Sequence, residues 1–396
     1  MPLRFCKRQV FSAIFIGFPI IGMLYYGQLC GADFEVFRLT GQRLLKNEGL
    51  YQNADGWSPF KYHPTWSLIF SLFSILPLGF SKLIFNILNL YMWCLGAKKW
   101  MSILEKRVDI NNIFILMVIV LNSLSAELGY GQLNGYLFCG TTYLFYLAET
   151  DRNSYLKQGL ILFLLTSLKL NFGILGVFLI FKNWKAIYGS IIGLVCFQLA
   201  LMVSYGPMQA FSIYSSWLQL LLHQSFDQYN TFEVQGFLRF FMIHFDFAKA
   251  RVFWLITMFI SMGIGVYIDQ VVLPANKVLK NRTIAINASY WLIMIFLFSP
   301  LSWWYQILFL FPAVFVLLEY SHSWFQKKLV LLILIVFAFV SYNTVGSQVI
   351  YLLKDKMIYF YAGLTLFLLF FWNFKNWIVS LGTISHQEVG SAIEKF

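Results

Sequence analysis

The chain has 396 residues, 59% of them hydrophobic and 12% charged, with a mean hydropathy of +0.69 and a formal net charge of +12 at pH 7. Soluble globular domains carry about 25% charged residues, so this little charge excludes a water-facing surface around a chain of this size. No basic run with interleaved aromatics occurs, which argues against a nucleic-acid partner; excess Lys and Arg instead suit the cytoplasmic loops of a membrane protein.

The apolar residues fall in blocks long enough to cross about 30 Å of hydrocarbon. They lack period-two alternation, so helices rather than a β-barrel are expected to satisfy the backbone in lipid. The expected fold class is all-α: a polytopic membrane protein with about 10–12 transmembrane helices, forming one domain over 1–396. Candidate spans are 10–29, 64–80, 82–104, 110–127, 131–149, 157–181, 186–206, 251–270, 284–300, 302–320, 328–346 and 357–378. The first follows Arg4, Lys7 and Arg8, which places the N-terminus in the cytoplasm, and without a small-residue cleavage site it is expected to remain as an anchor.

Two polar segments stand out by length, 30–63 and 207–250, and both are expected on the outer face. Lys277, Lys280 and Arg282 suit a cytoplasmic linker at 271–283. Within the first segment, Phe34, Phe37, Gly41, Leu44 and Leu45 follow helical spacing, which predicts a short amphipathic helix over 33–48 lying in the headgroup plane. Cys6, Cys30, Cys94, Cys139 and Cys196 form no CxxC pair, so neither a disulfide framework nor a metal site is expected from them.

In chain order, Asp33 comes first among residues that could carry chemistry. It is either an N-cap for the helix that follows or a carboxylate at a membrane boundary. Lys61-Tyr62-His63-Pro64 closes the same segment. Pro64 suits the first turn of a helix, Tyr62 the interface, and Lys61 either snorkels toward headgroups or meets a lipid-linked phosphate. Gln132 and Asn134 open a span with two amides, which serve helix–helix hydrogen bonding or a site. Lys169 lies inside an apolar run, where a lysine costs about 3 kcal/mol or more, so it faces a polar cavity, pairs with an acid or marks a helix break. Glu233, Gln235, Gly236 and Arg239 occupy the second long segment, and Arg239 is either a solvated charge or a fork for phosphate. Ser299-Pro300-Leu301-Ser302-Trp303 interrupts a hydrophobic stretch, as an aromatic belt at a turn or as part of a site. His223, His244, His322 and His386 have no ligand spacing. P-loop, GxSxG, HExxH and dinucleotide signatures do not occur, which argues against an ATP-driven pump and common soluble-enzyme chemistry.

Taken in order, these pieces resemble the multi-span glycosyltransferases of the GT-C fold, and most closely glycosyltransferase family 87 with its polyprenyl-phosphate-mannose-dependent mannosyltransferases. The matching pieces are Asp33-Phe34, Tyr62-His63-Pro64, Gly131-Gln132-Leu133-Asn134, Lys169, Gly236 with Arg239, and Ser299 to Trp303. The family's usual proline two residues after the lysine is Asn171 here, and Arg239 stands one residue short of the usual spacing from Gly236. The histidine pair many members carry next is replaced by Trp304-Tyr305-Gln306.

The resemblance implies transfer of a sugar, mannose or another hexose, from a polyprenyl-phosphate donor to a lipid or glycan acceptor. The reaction would invert the anomeric carbon on the outer face of a bacterial inner membrane, within the cell envelope. Asp33 would be the general base. Lys169, Arg239 and Lys61 would hold the donor phosphate, with Tyr62, His63, Gln132, Asn134, Ser302 and Trp303 lining the site. No cofactor and no metal are implied; the partners are the two substrates and membrane lipids. The alternative is a transporter or flippase of lipid-linked sugars, which would show two related halves; none is visible. A ligase or polymerase of cell-surface polysaccharide is a third reading.

Overall fold

A computed structural model of the chain describes residues 21–22, 24–25, 31–51, 60–104, 123–222, 234–273, 280–300, 302–320, 323–339 and 347–373. These residues are almost wholly helical, and their only β pairing is an isolated antiparallel bridge between Val234 and Trp303. The first half contains α1 (Ala32–Leu45), α2 (Trp66–Ser74), α3 (Leu78–Ile103), α4 (123–130), α5 (Asn134–Thr150), α6 (Tyr155–Leu168), α7 (Ile174–Asn183) and α8 (Ala186–Tyr205). The second half contains α9 (Pro207–Leu222), α10 (Phe237–His244), α11 (Phe247–Tyr267), α12 (Lys280–Phe298), α13 (Phe311–Tyr320), α14 (Trp324–Phe339), α15 (Ser347–Asp355) and α16 (Ile358–Asn373). Most of the expected spans 10–29 and 110–127 lies outside the described residues.

The all-α membrane class stands. Among the described residues, α3, α8 and the segment Phe247–Val271 are long and apolar enough to cross a bilayer, and shorter apolar helices accompany them. Their outward faces are apolar: α8 exposes Ile187, Ile191, Ile192, Val195, Leu199 and Val203, and α11 exposes Val252, Phe253, Ile256, Phe259 and Ile260. Soluble proteins do not present apolar patches of that size to water, whereas lipid accepts them.

Three boundaries differ from the sequence reading. The block 64–80 is not one span: Pro77 carries an extended backbone, so α2 stops at Ser74 and the 26-residue α3 begins at Leu78. The block 157–181 breaks at Lys169, whose φ of −144° and ψ of 114° end α6; a short 3-10 turn, Leu170–Gly173, leads into α7. The polar segment 207–250 is largely helical, because Ala210, Ile213 and Trp217 give α9 a buried face that composition alone conceals.

Small residues set the helix spacing. A Cβ at Gly159 would run into the Ala186 carbonyl, and one at Gly189 into the Leu156 carbonyl, so α6 and α8 touch through their backbones. The Ser190 hydroxyl donates to the Gly159 carbonyl at 2.8 Å across the same contact. Gly41 gives α1 a similar approach to Phe70 on α2. The apolar face of α1 therefore packs on protein: Phe34, Phe37, Gly41 and Leu44 are buried as the periodicity predicts, with Leu45 exposed. Replacing Gly189 by Val should force α6 and α8 apart at a cost of about 1–3 kcal/mol. Thermal unfolding of the detergent-solubilised variant measures it, and Val203→Ala on the lipid-facing side of α8 should leave the transition in place.

Candidate active site

Gly31 starts the site. Its φ of +116° lies in the left-handed region, and it occupies the N-cap position of α1 with no side-chain capping hydrogen bond. Asp33 therefore sits inside the first turn rather than at the cap, where a carboxylate also suits the positive end of the helix. Its Oδ2 accepts a hydrogen bond from Nε2 of Gln132. Burial pushes the Asp33 carboxyl up to about 6, against the opposing pull of the Lys169 and Lys61 cations.

Gln132 reaches Asp33 because Gly131 brings its loop against α1. Gly131 has φ +71°, and a Cβ there would lie 2.6 Å from Cβ of Phe34. The other end of the Gln132 amide, Oε1, accepts from Lys169 Nζ at 3.4 Å, and Asn134 Oδ1 accepts from the same ammonium at 2.7 Å. Lys169 stands at the break between α6 and α7, so its extended backbone aims the side chain at the N-terminal end of α5. One amide thus spans a carboxylate on one side and an ammonium on the other.

Glu127 and Asn89 complete this layer, and neither was singled out in the sequence. Glu127 is 0% exposed; its Oε1 accepts from the Asn134 backbone N–H at 2.7 Å, and its Oε2 from Asn134 Nδ2 at 2.6 Å. Asn89 donates to Glu127 Oε1 at 3.3 Å and to the Gln132 carbonyl at 2.9 Å. A signal existed: Glu127 is the only acid between Asp109 and Glu149, at the end of an apolar block. Lys82, the only cation between Lys61 and Lys98, also belongs to this end, pairing with Glu35 at 3.1 Å and lying against Gly31.

Lys61, Tyr62 and His63 form the adjoining wall. Burial pushes the Lys61 ammonium down, and Asp33 raises it in return. The Lys61 carbonyl accepts from Trp217 Nε1 at 3.0 Å, and the Tyr62 carbonyl from the Tyr51 hydroxyl at 2.9 Å. The Tyr62 ring packs edge-on to Phe37. His63 is buried. Its Nδ1 accepts from Thr65 N–H at 3.4 Å, so Nε2 carries the proton toward the Tyr214 hydroxyl at 2.9 Å. Burial lowers this imidazole to about 4, so it stays neutral and fastens α2 to α9.

Arg239, Ser302 and Trp303 belong to a second group. Arg239, 4% exposed, donates through Nη1 to the carbonyls of Val234 and Lys354, each at 3.1 Å, with Asp355 Oδ1 3.7 Å from Nη2. The Gln235 N–H donates to the Ser302 carbonyl at 2.6 Å beside the Val234–Trp303 bridge. Through Nη1 these contacts join the start of α10 to the end of α15. This group meets the first through Phe309, whose ring lies 5.6 Å from that of Phe172, just beyond Lys169. Glu233 lies outside the described residues.

The fold and these groups define a multi-span helical membrane protein with a carboxylate and cations gathered where two helices break. The family model of glycosyltransferase family 87 matches residues 60–300, more than half of the chain, and the chain belongs to that family. It is a membrane glycosyltransferase. The matched segment contains Lys61, Gln132, Asn134, Lys169 and Arg239 and begins after Asp33. No curated protein and no solved structure matches the chain.

Gly131→Ala should break the Gln132–Asp33 contact, because the new methyl group meets Phe34 in a backbone conformation that alanine disfavours. Sugar transfer in membranes should fall at least about tenfold, as expected for loss of a charge-assisted hydrogen bond. Gly263→Ala, where a Cβ meets open space, serves as the control.

Proposed function

We propose that this glycosyltransferase moves a sugar, mannose or another hexose, from a polyprenyl-phosphate donor to a hydroxyl of a lipid or glycan acceptor, with inversion. The observation that carries the reading is the Gln132 amide, held by Asp33 at one end and Lys169 at the other. A base and a cation placed side by side without pairing directly can serve the two halves of one displacement. Asp33 takes the proton from the acceptor hydroxyl as its oxygen bonds to the anomeric carbon. The bond from that carbon to the donor phosphate breaks, and its electron pair leaves on polyprenyl phosphate. Lys169 and Lys61 offset the negative charge that grows there. In this reading Tyr62, His63, Asn134, Ser302 and Trp303 shape the site, and Arg239 anchors it. A lipid-phosphate donor needs no nucleotide-binding fold, consistent with the absent glycine-rich signatures.

Charge distribution supports an outer-face site; the GT-C-like arrangement and the bacterial cell envelope are part of the same proposal. Exposed Lys98, Arg152, Lys157 and Lys185 lie at the far ends of α3, α5 and α7 and the near ends of α6 and α8, opposite the Asp33 layer. Lys and Arg collect on the cytoplasmic side of membrane proteins, which supports an outward-facing Asp33.

Asp33→Asn should abolish transfer, by at least about a hundredfold for loss of a general base, while the protein remains folded in the membrane. Transfer of radiolabelled sugar from a polyprenyl-phosphate donor measures this, and a normal rate would remove Asp33 as the base. A transporter would instead move labelled donor across vesicles without forming a glycosidic bond.

The base must be ionised, so kcat/KM should rise with pH through about 6 rather than through the ordinary aspartate range near 4. Lys61→Met removes a cation that holds this carboxyl down, so the acid limb should move to higher pH. A pH–rate profile of both proteins checks the direction.

A further inference from the structure

The reaction outlined above leaves Glu127 unused, although it is the most deeply buried acid of the layer. Three N–H donors converge on its two oxygens, two from Asn134 and one from Asn89. Asn134 is held at both ends, donating to Glu127 and accepting from Lys169. A carboxylate offers only acceptors and an ammonium only donors, so one orientation of the Asn134 amide satisfies both. Among the described residues no direct ion pair joins Glu127 to Lys169. Lys169 is therefore balanced by two acids, Asp33 and Glu127, each one amide away, and two of its three N–H bonds point at neutral oxygens.

We propose that Glu127 is a positioning residue for the donor phosphate: it fixes the Asn134 amide so that Lys169 receives counter-charge without being consumed by an ion pair. The ammonium then exchanges neutral amide oxygens for phosphate oxygens when the donor arrives. A carboxylate in direct contact would compete with phosphate for the same N–H bonds. This inference rests on the assignment of Lys169 to the donor phosphate.

The test compares wild type, Glu127→Gln and the double variant Glu127→Gln/Asn134→Asp, purified in nanodiscs. It reads donor KM, acceptor KM, binding of polyprenyl phosphate and melting temperature. In Glu127→Gln the new amide presents N–H bonds to Asn134 Nδ2, so Asn134 turns and aims its own N–H bonds at Lys169. Donor KM should rise about tenfold or more, the size of a lost hydrogen bond to a charged group, with acceptor KM unchanged. The double variant exchanges acid and amide. Every hydrogen bond can re-form, so the melting temperature should return to the wild-type value. The introduced carboxylate now touches Lys169, so donor KM should stay raised. A merely structural Glu127 predicts instead that donor KM and acceptor KM of Glu127→Gln shift together, in step with its melting temperature. That result, or an unchanged donor KM in Glu127→Gln, overturns the inference while leaving the sugar-transfer reading intact. Should Glu127→Gln not fold, a wild-type donor KM in the double variant, with its carboxylate against Lys169, overturns the inference. A wild-type protein that neither binds polyprenyl phosphate nor uses a lipid-phosphate donor overturns both.

Discussion

An ammonium ion inside an apolar chain segment must be neutralised, hydrogen-bonded or driven out. Lys169 is retained, and much of the site layer exists to hold it. The backbone extends there, α6 ends, α7 begins after one tight turn, and α5 presents two amide oxygens to the charge. Asp33 and Glu127, from α1 and α4, supply opposite charge through those amides. Four separate stretches of chain are brought together by a group that water would have solvated without structure.

Amides suit this task because each has a donor end and an acceptor end. Gln132 and Asn134 do the same work in opposite directions, one toward Asp33 and one toward Glu127. Direct contact between buried charges would neutralise them, and a broken buried pair costs about 3–5 kcal/mol. Interposed amides keep the charges in a common field without a direct ion pair between them. Burial has a further effect on Asp33, whose raised affinity for a proton makes it a stronger base than a solvated aspartate while leaving it ionised at neutral pH.

Much of this was legible in the sequence, for identifiable reasons. The membrane class follows from composition. The helix carrying Asp33 follows from the spacing of Phe34, Phe37, Gly41 and Leu44, all buried. Lys169 was suspect because a lysine rarely sits in an apolar run, and the helix does break there. Glu127 was hidden because residue spacing does not show the turn at Gly131 that folds Asn134 back onto it, nor the approach of Asn89 from 38 residues before it. Lys82 was hidden likewise, since its nearest neighbours are Gly31 and Glu35 on another helix. Arg239 illustrates the reverse. Residue type suggested a phosphate ligand but gave no sign that its Nη1 would also donate to the Val234 and Lys354 carbonyls. Composition also misread α9, whose serines and glutamines face outward while Trp217 and Ile213 pack inward.

The same helices carry a second polar fastening at their other ends. Lys182 at the end of α7 meets Glu149 near the end of α5 at 2.6 Å and Asp269 beyond α11 at 3.0 Å, with Asn287 of α12 donating to Asp269 at 2.6 Å. Along α5, Asn134 and Glu149 are about 22 Å apart. The unit is thus riveted at two levels along α5. Lengthwise sliding of α5 past the α6–α7 pair would tear one rivet or the other. A thicker or thinner bilayer can then be met only by tilting the whole unit or bending the lipid around it, not by sliding one helix past another.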